Sequence, residues 1–249
     1  MAQVVAETPG SRERKLSAGQ SVLDAQGLTT RQINQAIHRL IEQGVREIEI
    51  RNPVAQHCLA VAIKAEVRLH FRGSCGWYAA GMNDGATVVI DGNAGWGLAE
   101  CMMRGRVEVQ GNAGSGASVS IRGGLVFVRG DTGARAGIAM KGGVLIVGGN
   151  VGYLSGFMMQ RGTIIVCGDA AEGLGDSMYE GTIYVGGRVA AYGADAVEKE
   201  CTPDDRALLR RALEEFGIDA SAIPFKKVES GRKLWNFSKH EPEMWRNAL

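Results

Sequence analysis

RVEVQGNAGSGASVSIRGGLVFVRGDTGARAGIAMKGGVLIVGGNVG, Arg106 to Gly152, decides the fold. Three times in this stretch a short apolar strand closes on a glycine that is followed by a short polar residue: Gly111 with Asn112, Gly130 with Asp131, Gly149 with Asn150. The closing glycines recur at a constant 19-residue interval, which extends outward to Gly73 and Gly92 on one side and to Gly168 and Gly187 on the other. A fixed period of this length is the signature of a stacked repeat and takes precedence over any local assignment.

The columns of the repeat show what each position does. Two residues before the marker glycine stand Phe71, Ile90, Val109, Val128, Val147, Val166 and Val185; four before it stand Leu69, Val88, Val107, Val126, Leu145, Ile164 and Ile183. Residues two apart on a strand face the same side, so every unit adds two side chains to one continuous apolar face. The polar residue after the marker suits a tight corner, where short side chains bond their own backbone. A further glycine column runs from Gly76 through Gly95, Gly114, Gly133 and Gly152. Seven residues past the marker the column holds only Ala, Ser or Gly, from Ala80 to Ala194, which leaves room for close backbone approach. Met102, Ile121, Met140, Met159 and Met178 form an interior column, with Asn83 as the exception in its first unit. No helix-forming half accompanies the strand, which excludes a leucine-rich repeat, and propeller blades need about twice this period. The spacing predicts an all-β, single-stranded, right-handed parallel β-helix of about seven 19-residue coils.

The flanks read as caps, which a solenoid needs at both ends. Residues 1–65 are an N-terminal capping segment, 66–197 the β-helix and 198–249 a helix with an aromatic and basic tail. In the first flank Thr29 and Gln32 form a capping box before the stripe Ile33, Ile37, Leu40 and Ile41, and Gly44 ends that helix. Val45 to Ile50 then alternates as a strand, and Asn52–Pro53 predicts a short second helix through Ala62. In the last flank Thr202, Pro203 and Asp205 open a helix with Leu208, Leu209, Ala212, Leu213 and Phe216 on one side and Gly217 at its end. On the outward strand face Phe127, Ile146, Ile165 and Tyr184 make an apolar stripe. Either the C-terminal helix covers it or a partner subunit does. Phe225, Trp235, Phe237 and Trp245 in the tail are candidates for the same interface, or they wrap the last coil.

The search for chemistry finds no constellation. GNAGWG and GNAGSG have the wrong spacing for a dinucleotide turn and open no helix, and no phosphate-loop motif occurs. The four histidines are scattered, and Cys75, Cys101 and Cys167 occupy different repeat positions, so neither a metal site nor a cluster ladder is expected. Asp91, Glu108, Asp131 and Asp169 fall at corners or on the outer face, and Ser115 and Ser118 have no histidine partner in sequence. Catalytic, cofactor-binding and metal residues are therefore all expected to be absent. A formal charge of +1 gives no reason to expect nucleic acid or an anionic membrane. No membrane-length apolar run and no signal peptide are read, and five cysteines without a CxxC pair suit a reduced, cytoplasmic setting. The 36 glycines among 249 residues, about twice ordinary usage, are thus corner and packing residues.

Repeated corners of the kind in GIAMKGGVLIVGGNVG (Gly137–Gly152) resemble the family named for its GXGXG repeats, the β-helical C-terminal domain of the glutamate synthase large chain, shared with a subunit of formylmethanofuran dehydrogenase. The resemblance covers residues 66–197 and extends more loosely into the flanks. It implies a domain without substrate or cofactor residues that supports a glutaminase domain and a flavin-bearing synthase domain. As a separate chain, with FKKVESGRKLWNFSK (Phe225–Lys239) at its end, the sequence is similar to the stand-alone GXGXG subunits of split systems, most of all those of methylamine–glutamate N-methyltransferases. That likeness implies a glutaminase-like partner and an FMN-dependent synthase partner, with FMN and an iron–sulfur cluster in the partners. The chain departs from the large-chain form where it reads GNAGWGLAE and GNAGSGASV in place of an NDYVGKG-like signature, so no contact residue carries over. The alternatives are a β-helical subunit of a formylmethanofuran dehydrogenase or formyltransferase complex, and a homo-oligomeric module whose edge coils stack.

Overall fold

The computed structural model describes residues 13–17 and 19–232. Its frame is a right-handed parallel β-solenoid. The strands are β1 (Glu13–Ser17), β2 (Gln20–Asp24), β3 (Glu47–Arg51), β4 (Arg68–Arg72), β5 (Asp84–Ile90), β6 (Arg104–Val109) and β7 (Leu125–Val128). They continue as β8 (Lys141–Val147), β9 (Arg161–Val166), β10 (Ala170–Leu174), β11 (Thr182–Val185), β12 (Val189–Tyr192), β13 (Ala196–Lys199) and β14 (Lys226–Ser230). The helices are α1 (Thr30–Glu42) and α2 (Pro203–Glu214). One sheet of 12 strands runs in the order β1-β2-β3-β4-β5-β6-β7-β8-β9-β11-β14-β13. From β2 to β11 every pairing in it is parallel, and Val107, Val126, Leu145, Ile164 and Ile183 align in register as the columns require.

The stack begins one coil earlier than the glycine period shows. Ile48 pairs with Leu69 and Ile50 with Phe71, an offset two positions longer than the repeat, which hides this coil from a search at constant spacing. It brings the solenoid to about eight coils. The short helix expected from Asn52 through Ala62 is not formed. Asn52 sits at φ 53°, and Val54, Ala55, Cys58, Ala60 and Ala62 are also left-handed, so the segment runs as the first turn face of the solenoid. Its N–H groups at Ala55, Cys58 and Ala62 donate to Ser74, Trp77 and Gly81 one coil on, bonds a helix would have kept for itself.

Each coil has three sides. The long sheet forms one, and a narrow ladder through Cys75, Ala94, Ala113, Thr132, Val151 and Ala170 forms the second, continued by β10 and β12. The third is a turn face whose backbone alternates into the left-handed region: Tyr78, Ala80 and Met82 in one coil, Arg135, Gly137 and Ala139 three coils on. L-residues enter that region at a cost. The small column from Ala80 to Gly175 is thus both left-handed and buried, which excludes branched side chains. Met102, Ile121, Met140, Met159 and Met178 fill the interior as expected. Asn83 is buried there too, with its amide bonded to the N–H and carbonyl of Ala86.

The corner polar residues work differently from the expectation that they bond their own backbone. The side-chain oxygen of each accepts the N–H of the equivalent residue on the next coil, from Ser74 through Asn93, Asn112, Asp131, Asn150 and Asp169 to Arg188, at 2.7–3.0 Å. These oxygens occupy the space beside the next marker glycine. A Cβ on Gly111 or Gly130 would lie 2.3 or 2.1 Å from the amide oxygen of Asn93 or Asn112. Marker glycine and polar neighbour are one device, repeated from coil to coil.

The first coil is capped, and the long sheet continues past the last one. Helix α1 carries the predicted capping box of Thr29 and Gln32 and buries Ile33, Ile37 and Leu40 on the first coil. Its Asn34 donates to the Cys58 carbonyl at 2.8 Å and accepts the Ala60 N–H at 2.9 Å, replacing the coil that is missing below. Asn34→Ala is expected to lower stability by about 1–2 kcal/mol, read as a fall in the denaturation midpoint at unchanged slope. At the other end β14 pairs antiparallel with β11, and the sheet stops at the short strands β1 and β13. Stacking of edge coils, one of the alternatives above, would have to use the short edge strands β1 and β13 of this sheet or β12 of the second.

Helix α2 starts from the expected Thr202, Pro203 and Asp205 and lies across the outward stripe. Phe127, Ile146, Ile165 and Tyr184 are at most 3% exposed beneath Leu209, Leu213 and Phe216. The Phe127 and Phe216 rings stack with centroids 3.8 Å apart. The stripe is therefore an internal second core and not an interface for a partner: an apolar helix face of the same chain reaches it first. Phe225 packs half-buried against the same core. Trp235, Phe237 and Trp245 lie outside the described residues.

Candidate docking surface

The titratable groups sort into surface ion pairs and structural contacts. His70 and Arg72 meet Asp91, Arg72 also meets Glu49, and Arg104 meets Asp84, all on the outside. Among the described residues no group of three or more His, Cys, Asp or Glu is placed to hold a metal ion. The same residues contain no helix long and apolar enough to cross a membrane. Burial pushes the Cys75 thiol far up and the Cys167 thiol to about 11, so neither is a nucleophile at neutral pH. In the glycine turns GNAGWG and GNAGSG the N–H groups of Gly92, Gly95, Gly97, Gly111, Gly114 and Gly116 all donate to neighbouring coils. A phosphate held by these glycine N–H groups would have to displace bonds that join the coils.

What stands out instead is the turn face. Trp77 and Trp96, four residues past their markers, and His57 in the coil before them stand in consecutive coils, stacked with ring centroids 4.6 and 5.4 Å apart and planes within 15°. The Trp77 N–H donates to Nδ1 of His57 at 3.0 Å, which orients the first ring. Each ring leans onto the next coil, where the further glycine column makes room: a Cβ on Gly95 or Gly114 would lie 2.6 or 2.5 Å from Trp77 or Trp96. At Gly133 and Gly152 the same column makes room for the backbone of the preceding coil, so it serves both.

Although packed against one another, Trp77 and Trp96 remain 46% and 57% exposed. Tyr78, Met82, Tyr153 and Met158 on the same face are each about half exposed. Cys58 and Cys101 line an apolar hollow of about 330 Å³ there with Val61, Tyr78, Met82 and Glu100. Exposed apolar side chains gathered on one face are characteristic of interaction sites. The residues singled out in the sequence lie under α2 or outside the described residues, and this face was not among them. A signal was available: two tryptophans fall at one repeat position inside glycine turns.

No family model matches the chain. Protein GlxC of Rhizobium meliloti (strain 1021) is 42% identical over 73 residues, which make up 28% of this chain and 32% of GlxC. The chain thus aligns with about a third of that curated relative. A solenoid of glycine-cornered coils together with this partial similarity is consistent with the GXGXG-type resemblance read from the repeat.

Proposed function

We propose that the chain is a non-catalytic structural subunit of a split glutamate-synthase-like complex. In this reading it holds together a glutaminase-like amidotransferase subunit and an FMN-dependent synthase subunit, with the flavin and an iron–sulfur cluster carried by the partners. The observation that carries the reading is the 19-residue glycine coil, a GXGXG-type solenoid whose sequence is also similar over part of its length to GlxC. The glycine N–H groups of the turns donate between coils and the Cys75 thiol is buried, which gives these groups a packing role in keeping with the reading. Within this class the reaction proposed for the whole complex is methylamine–glutamate N-methyl transfer, in which methylamine and L-glutamate give N-methyl-L-glutamate and ammonia.

Affinity purification of the tagged chain from its native host, with mass spectrometry of what accompanies it, tests this directly. Glutaminase-like and flavin synthase chains in fixed ratio are the expected result, with the flavin leaving in the synthase fraction on dissociation. An amidohydrolase-like partner would transfer the chain to the formyl-transfer class, and stoichiometric FMN in the isolated chain would end the proposal. Methylamine-dependent formation of N-methylglutamate by the reconstituted set separates the specific reaction from ordinary glutamate synthesis.

A further inference from the structure

The turn face carries a pattern that matches itself. Along the column of this ladder, coil by coil, stand His57, then Trp77, Trp96, Ser115, Ala134 and Tyr153 at four residues past their markers. Two protruding indoles are followed by two small residues, and an aromatic residue closes each end. A two-fold axis lying in this face, perpendicular to the solenoid axis and passing between the Trp96 and Ser115 coils, reverses the coil order and leaves each column opposite itself. Under that operation Trp96 meets Ser115 of a second copy, Trp77 meets Ala134, and His57 meets Tyr153. Knobs fall on holes at the two inner steps and a ring meets a ring at each end, the self-complementarity that an isologous contact requires.

Neighbouring columns obey the same operation. One residue further on, Tyr78 falls opposite Arg135, an exposed guanidinium set against a half-exposed ring. In the column nine past the marker, Met82 falls opposite Ala139 and Met158 opposite Ala62, again a long side chain against a methyl group. Trp77, Tyr78, Met82, Trp96, Tyr153 and Met158, each about half exposed, offer roughly 600 Å² of largely apolar surface between them. That is most of the ~800 Å² per partner that a specific interface takes.

We propose that this face pairs two copies of the chain as an antiparallel two-fold dimer, with the Trp77–Trp96 ladder of each seated over Ser115 and Ala134 of the other. The dimer does not depend on the complex proposed above, and would double whatever assembly that complex forms.

The test is the solution mass of the purified full-length chain by sedimentation equilibrium. The wild type is expected at twice the chain mass at micromolar concentration. Trp96→Asp and Ala134→Trp are each expected to weaken association by about 100-fold or more, the first by removing a knob and the second by filling a hole. Ala134→Trp should still fold, because Gly152 on the next coil leaves the same room that Gly114 leaves for Trp96; an unchanged circular dichroism spectrum and melting profile confirm that. The deciding variant is Trp77→Ala with Ala134→Trp, which moves one knob into the hole it faces. It is expected to recover dimerisation to within about tenfold of wild type, since the operation maps each position onto the other.

A wild type that stays monomeric, a dimer indifferent to Ala134→Trp, or a double variant no better than the single would each overturn the proposal. So would a monomer that uses Trp96 to bind another protein. Loss of the glutaminase-like partners from the affinity purification would sink the complex and leave this result untouched.

Discussion

Replacing Gly130 by alanine is expected to lower stability by about 2–4 kcal/mol, although the change adds one methyl group at a corner of the surface. The methyl carbon would lie 2.1 Å from the Asn112 amide oxygen and 3.1 Å from the Gly111 carbonyl oxygen. That amide oxygen is held in place, because it accepts the Asp131 N–H at 2.8 Å. Either the ladder bond breaks or the coils part, and parting disturbs the packed interior around Val109 and Val128. Thermal denaturation should show a fall of about 5–15 °C for a chain of this length. The diagnostic measurement is the double variant. Asn112→Ala by itself should cost about 1 kcal/mol, since the freed N–H can turn to water. In its presence Gly130→Ala should cost less than about 1 kcal/mol, the obstructing oxygen being gone. Strict additivity would show that the glycine serves backbone conformation and not space.

That result bears on what the glycine period could reveal. The inward columns, the coil length, both capping boxes and the interior methionines follow from residue type alone, because strand alternation and helix caps are local chemistry that survives in any context. The extra coil escaped because it is two positions longer than the others, and its left-handed run through Val54, Cys58 and Ala62 has no local signature. Asn52–Pro53 invites a helix on local grounds, and only the unpaired carbonyls of the next coil override that preference. The apolar stripe from Phe127 to Tyr184 was legible as a surface needing a cover, yet strand texts could not decide between a helix further down the chain and another protein. The turn-face ladder was the least legible part. Trp77 and Trp96 look like core residues by type, and their exposure follows from a backbone geometry that places positions four, five and nine after the marker outward. Function follows the same division: the scaffold is written in the repeat, whereas its partners are chosen by surfaces whose orientation only the folded coil determines.

The attachment of that covering helix rests on one carboxylate, and Asp205→Ala is expected to release it. Asp205 is 8% exposed and bonds in four directions. It accepts the Tyr184 hydroxyl at 2.5 Å, the Thr202 N–H and hydroxyl at 2.8 Å each, and lies 3.2 Å from the Lys227 ammonium. Its removal leaves the Tyr184 hydroxyl without its acceptor in a closed site, opens the capping box and deprives Lys227 of one of two carboxylates, the other being Glu229. A cost of about 3–5 kcal/mol is expected. It falls on α2, because the solenoid interior and the core beneath α2 are separate clusters. Dye binding to the uncovered Phe127, Ile146 and Ile165 should therefore rise while the far-ultraviolet signal of the sheet persists. The same carboxylate sets an acid limit. Burial by itself would raise its pKa, but the bonds from Tyr184, Thr202 and Lys227 together outweigh burial and hold it well below the usual carboxylate range. A lowered pKa in the folded state contributes stability that is complete above the unfolded value of about 3.9 and is lost as pH falls below it toward the folded value. Dye binding by the wild type should thus grow through that acid window. Asp205→Asn, which keeps an oxygen for the cap and cannot titrate, should show weaker attachment at neutral pH and a flatter acid response. An acid step of undiminished size in Asp205→Asn would assign the pH dependence to other carboxylates, with Glu229, beside Lys227 and Lys199, the first to examine.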